Sequence, residues 1–76
     1  MNMKAAQSVK EILNRNNTKQ AALADRLGIK PAILSSRLKQ DNISIDKLNE
    51  MLRVLDYKIV ILPRDARIPE GGIEIE

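Results

Sequence analysis

The sequence predicts a mainly α-helical domain of four short helices, followed by one short β-strand near the C-terminus that pairs across a dimer. Three observations predict it. Apolar residues recur at three- and four-residue intervals through four windows, the last of which ends at Leu55. The windows are separated by Asn16-Asn17, by Gly28 and by the polar run QDNIS at 40–44, which are helix-ending and turn-forming residues. After Asp56 the period changes to YKIVIL at 57–62, rich in β-branched and aliphatic residues and stopped by Pro63.

In the first window, KAAQSVKEILN, Ala6, Val9 and Leu13 share one stripe with Ile12 beside it. Lys4, Lys10, Glu11 and Asn14 fall on the other side, which makes an amphipathic helix. Asparagine tolerates left-handed backbone angles, so Asn16 and Asn17 read as its cap and turn. Thr18 is expected to cap the second helix, leaving Lys19 and Gln20 at an exposed N-terminus where a phosphate could dock. Leu23, Ala24 and Leu27 form the second stripe, and Leu34 and Leu38 the third. Between them Gly28 can turn the chain in the left-handed region without a Cβ penalty, and Pro31 suits the first position of the next helix. Ser44 is a candidate N-cap for the fourth helix, with Asp46 in its first turn and Ile45, Leu48, Met51, Leu52 and Leu55 on one face.

The segment at 57–62 has almost no polar face, and a lone strand is unstable. Two solutions are open. Lys58, Ile59, Val60, Ile61 and Leu62 could pair with the same strand of a second subunit, or the strand could fold back on IEIE at 73–76 as a hairpin. The dimer is the favoured expectation, because RDARIPEGG is long for a hairpin loop and the terminal Ile-Glu alternation also fits a frayed tail. The chain thus divides into a helical part, 1–56, and a dimerisation strand with tail, 57–76.

Size and composition narrow the functions. A chain of 76 residues makes one domain at most and buries only about 60% of its unfolded surface, so help from a partner chain is unsurprising. Without cysteine or histidine, disulfides and the usual zinc sites are excluded. The carboxylates are scattered over predicted solvated faces, and Gly71-Gly72 lacks the context of a phosphate-binding loop. The expectation is a protein that is not an enzyme and needs no cofactor. The N-terminus resembles neither a signal peptide nor a membrane span, which places the chain in the cytoplasm, away from membranes.

The net charge of +3 is modest, but it is unevenly distributed. Lys19, Arg26, Lys30, Arg37 and Lys39 oppose only Asp25 in residues 18–40, whereas residues 41–76 are net acidic. That gathering of charge favours a polyanionic partner.

Two helices joined as tightly as the second and third must cross steeply, and the second of such a pair projects as a major-groove reader does. With Leu34 and Leu38 buried, Ala32, Ser35, Ser36, Lys39 and Gln40 point outward and Ile33 and Arg37 lie at the flank. For any single charged residue a solvated face is the commoner explanation, and for Ala32 and Ile33 a contact with a neighbouring helix is as good as a base contact. The pattern as a whole shifts that balance. Small residues and short hydroxyls let a helix approach base edges, while Lys30, Arg37 and Lys39 suit phosphates.

The run Gln20-Ala21-Ala22-Leu23-Ala24-Asp25-Arg26-Leu27-Gly28-Ile29, followed by Leu34, Ser35, Arg37 and Leu38, resembles the helix-turn-helix of the lambda-repressor and Cro family, also called the XRE family. The resemblance covers residues 5–55. It implies that Gln20 contacts a phosphate and braces the recognition helix, that Pro31, Ala32 and Ser36 lie against bases, and that Lys39 meets a phosphate. Pro31 and Ala32 depart from the usual polar types, and Asp56 stands where a glycine is common. The strand after the fourth helix is similar to that of small phage, conjugative-element and antitoxin members.

The expected protein is therefore a dimeric, sequence-specific transcriptional repressor of phage or mobile-element type that occupies a palindromic operator in double-stranded DNA. Its DNA contacts are expected from Lys19, Gln20, Lys30, Pro31, Ala32, Ser35, Ser36, Arg37 and Lys39. The alternative is an antitoxin that binds a toxin protein through the C-terminal strand and the tail from Arg64.

Overall fold

The computed structural model describes residues 3–75. Four helices follow in order: α1 (Ala5–Arg15), α2 (Gln20–Leu27), α3 (Pro31–Leu38) and α4 (Ile45–Val54). α2 and α3 pack on each other, α1 packs on α3, α4 packs on α2, and α1 and α4 meet, so the α2-α3 pair sits on a base made by α1 and α4. Their shared core contains Val9, Ile12 and Leu13 of α1, Leu23 and Ala24 of α2, Leu34 and Leu38 of α3, and Leu48, Met51 and Leu52 of α4, closed by Leu55. Ser8 is also buried, and its Oγ donates to the Ala5 carbonyl at 2.6 Å, so the hydroxyl enters the core satisfied.

Three of the four helices end in the same device. The amides of Thr18, Ile29 and Tyr57 donate back to the carbonyls of Leu13, Ala24 and Leu52, five residues earlier. The residue before each is left-handed: Asn17 (φ 52°), Gly28 (φ 71°) and Asp56 (φ 65°). This is the Schellman arrangement, which satisfies carbonyls that a helix end would otherwise leave open. Only at the α2-α3 turn is the residue a glycine. Asn17 and Asp56 adopt the same geometry at a conformational cost that asparagine and aspartate bear better than other side-chain-bearing residues.

Helix starts differ more from expectation. α2 begins one residue later than a Thr18 cap requires, with Lys19 at the N-cap and no side-chain hydrogen bond there. Thr18 Oγ1 donates instead to the Asn16 carbonyl at 3.2 Å, because one step outside the cap the hydroxyl no longer faces the first-turn amides. Ser44 caps α4 as expected, its Oγ accepting from the Lys47 amide at 3.2 Å. Ile45, expected in the α4 stripe, is 64% exposed. As the first residue of the helix it overhangs the end of the core, and Ile43, on the other side of the cap, packs there in its place. Ile43 and Leu48 occupy the positions of a hydrophobic staple.

Beyond α4 the expected strand over 57–62 does not form: no ladder is present among the described residues. Tyr57 and Ile59 rest against the core, while Lys58, Val60, Ile61 and Leu62 are exposed, Ile61 at 96%. The hairpin alternative is overturned. A turn at 69–72, with Gly71 at φ 83° and the Gly72 amide donating to the Pro69 carbonyl, aims the chain end at α1 instead. There Ile73 packs on the core, Ile75 makes an isolated parallel bridge with Met3, and Arg15 Nη1 donates to the Gly71 carbonyl at 2.9 Å. The tail is docked at these points, not frayed over 73–75. Glu76, the last residue of the expected IEIE partner, lies outside the described residues.

Candidate nucleic-acid interface

The α2-α3 pair presents one polar, basic face. Its geometry follows from Gly28 and Pro31: the left-handed glycine stops α2, and two residues later the N-cap Lys30 starts α3, with proline at its first position. Leu34 and Leu38 then fix the rotation of α3 by burying one side. On the other side Pro31, Ala32, Ser36 and Lys39 are exposed, with Ile33 at 48% and Ser35 half-buried. Lys19, Gln20 and Lys30 are exposed at the two helix starts.

The electrostatics of those starts do not stabilise the helices locally. A helix N-terminus carries partial positive charge and favours an acid or a hydroxyl cap. α2 and α3 instead place lysines at the N-cap, with no side-chain cap and no acidic residue in the first turn. The amides of Gln20, Ala21 and Ala32 have no hydrogen-bond partner among the described residues. Free amides beside fixed positive charge are an arrangement that favours an anion.

Arg37 is placed differently from the other expected contacts. Its side chain is only 15% exposed and turns toward α4, with Nη1 at 3.8 Å from Glu50 Oε1. Glu50 Oε2 is also 3.8 Å from Lys47 Nζ. Beside this group an open cleft of about 640 Å³ separates the end of α3 from the start of α4, and Ser36, Gln40, Asn42 and Lys47 line it. Nothing in the sequence marks Asn42 and Lys47 as neighbours of α3, because they belong to an acidic stretch and meet α3 only through the α3-α4 turn.

At the end of α1 Arg15 donates through Nε to Glu11 Oε2 at 3.0 Å. The Glu11 hydrogen bond raises the pKa of the Arg15 guanidinium. No group of metal-ligating side chains is found among the described residues, and no described helix is long and apolar enough to cross a membrane.

The tight α2-α3 turn and the exposed face of α3 fit a helix-turn-helix domain, a class that suggests DNA binding. Residues 1–62 match the family described as helix-turn-helix domain, and the chain belongs to that family. No curated protein and no solved structure matches it.

Proposed function

We propose that this protein is a sequence-specific, dimeric transcriptional repressor of the lambda-repressor and Cro type, acting in the cytoplasm on a palindromic operator. The observation that carries the reading is the α2-α3 face, where uncapped, lysine-flanked helix starts adjoin an exposed strip of small and hydroxyl residues. Lys19, Gln20, Lys30 and Lys39 hold phosphates, and Pro31, Ala32, Ser35 and Ser36 lie in the major groove. With proline and alanine leading, α3 fits the groove more than it reads it, so much of the discrimination comes from the fixed spacing of two half-sites. Two recognition helices sit one DNA turn apart, about 34 Å.

Selection of genomic fragments by the purified protein, with sequencing of the bound DNA, tests the reading. A palindrome with half-sites one helical turn apart is the expected result, and no enrichment would refute it.

The second subunit is proposed at 58–62, where Val60, Ile61 and Leu62 are exposed together. Ile61→Asp changes a side chain that is 96% exposed, so the monomer should fold while sedimentation shows loss of the dimer and operator affinity drops. A dimer that survives this change would place the contact elsewhere.

The antitoxin reading is favoured by one further observation, a groove of about 1020 Å³ that runs between the tail and α1 and α4 and is lined in part by Val60 and Leu62, the neighbours of Ile61. It predicts that a toxin encoded next to this protein co-purifies with it and that Ile61→Asp releases the toxin. It is set aside if no such complex forms.

A further inference from the structure

We propose that Glu50 is a positioning residue that withholds Arg37 from the DNA backbone, so that the recognition helix carries a cation the phosphates do not engage. The inference rests on the DNA-binding reading above. Arg37 is the basic residue of the last turn of α3, yet its side chain is largely covered and its guanidinium points at α4. The Nη1 atom is buried without a hydrogen-bond partner, and its 3.8 Å approach to Glu50 Oε1 is a charge contact too long for a hydrogen bond. An arginine placed for structure alone would normally satisfy its fork of donors. Arg37 is instead held by charge alone, by a carboxylate that is itself half-exposed and shared with Lys47.

Both Arg37 and Lys47 line the open cleft beside Ser36, so a guanidinium released from Glu50 has a path to the face that α3 exposes. The C-terminal end of the α3 dipole adds to the hold on the cation. Withholding it has a functional sense. A phosphate contact strengthens binding to every duplex alike and carries no sequence information, so one fewer contact lowers the background against which an operator must be found.

The test is a double-mutant cycle read by the salt dependence of binding to a random-sequence duplex, with the full chain. Glu50→Gln leaves Arg37 in place without its anchor. The slope of log K against log salt should steepen by about 0.9, the value for one extra phosphate, so that a fourfold rise in salt costs about 3.5-fold more affinity than in the parent. Arg37→Met alone keeps the apolar stem and should leave the parent slope unchanged. Arg37→Met with Glu50→Gln should return the slope to the parent value, and Lys47→Met with Glu50→Gln should not.

A slope unchanged by Glu50→Gln would overturn the proposal, as would a steeper slope that persists when Arg37 is removed as well, or a shallower slope in Arg37→Met alone. If a methionine variant fails to fold by circular dichroism, Arg37→Gln completes the same cycle. A parent protein that shows no salt-dependent binding at all would refute the DNA-binding reading itself, an outcome distinct from failure of the cycle.

Discussion

The start of α4 and the starts of α2 and α3 solve the same problem in opposite ways. At α4, Ser44 accepts the Lys47 amide and Asp46 complements the helix dipole. At α2 and α3 a lysine occupies the N-cap, no side chain closes the end, and positive charge stands on the positive end of the dipole. All three helices feed the same core, so the difference is not one of packing. The α2 and α3 starts lack the local stabilisation that α4 has, and an anion that supplied acceptors there would add it on binding. α1 also has a lysine at its N-cap and no acidic residue in its first turn, but there Gln7 Oε1 accepts the Lys4 amide at 2.8 Å.

The largest effect should come from reversing charge at the open starts. Lys19→Glu with Lys30→Glu should weaken binding to any duplex and make the salt slope shallower by about 1.8, two phosphate contacts' worth. Thermal stability should move the other way, rising by about 0.3–1 kcal/mol per site as acids meet the dipole. Opposite signs in the two readouts are the signature; a loss of both would mean that the lysines serve the fold.

The next effect isolates the turn that aims α3. A Cβ at Gly28 would meet nothing within 4 Å, so Gly28→Ala carries only the cost of a left-handed backbone, roughly 1–2 kcal/mol by denaturant unfolding. A much larger loss would mean that the turn is packed more tightly than this. Ser44→Ala removes the side-chain cap of the closed start and should cost about 1 kcal/mol while leaving the salt slope of DNA binding unchanged. The smallest effect concerns Asp56, left-handed at the end of α4. Asp56→Gly should stabilise the fold by up to about 1 kcal/mol, seen as a small rise in Tm, and should not alter DNA affinity.

How far these features could be read in advance depended on how local their causes are. The four helices, the Asn16-Asn17 and Gly28 turns, Pro31 at a first helical position and the Ser44 cap follow from residues within one turn of each other. The Thr18 cap failed by one position, since a threonine within reach of two registers has its hydroxyl decided by the turn before it. Ile45 has the right period for the core, but periodicity does not say where a core ends. The tail was least legible. Its placement depends on Ile73, on Arg15 meeting the Gly71 carbonyl and on Ile75 beside Met3, contacts more than fifty residues apart in the chain or set by packing on several helices. At the candidate site, the exposed positions of α3 followed from Leu34 and Leu38. The Arg37-Glu50 pair did not, because it requires knowing how α4 lies against α3.

The central claim is that the open starts of α2 and α3, not the closed start of α4 or the tail, meet nucleic acid. Amide chemical shifts of the labelled protein, followed as a duplex is added at low salt, test it most directly. The account predicts the largest changes at Gln20, Ala21 and Ala32, whose amides have no partner among the described residues, with Lys47 held by Ser44 and little changed. Shifts confined to residues 44–47 or 58–62, with those three amides unmoved, would contradict it.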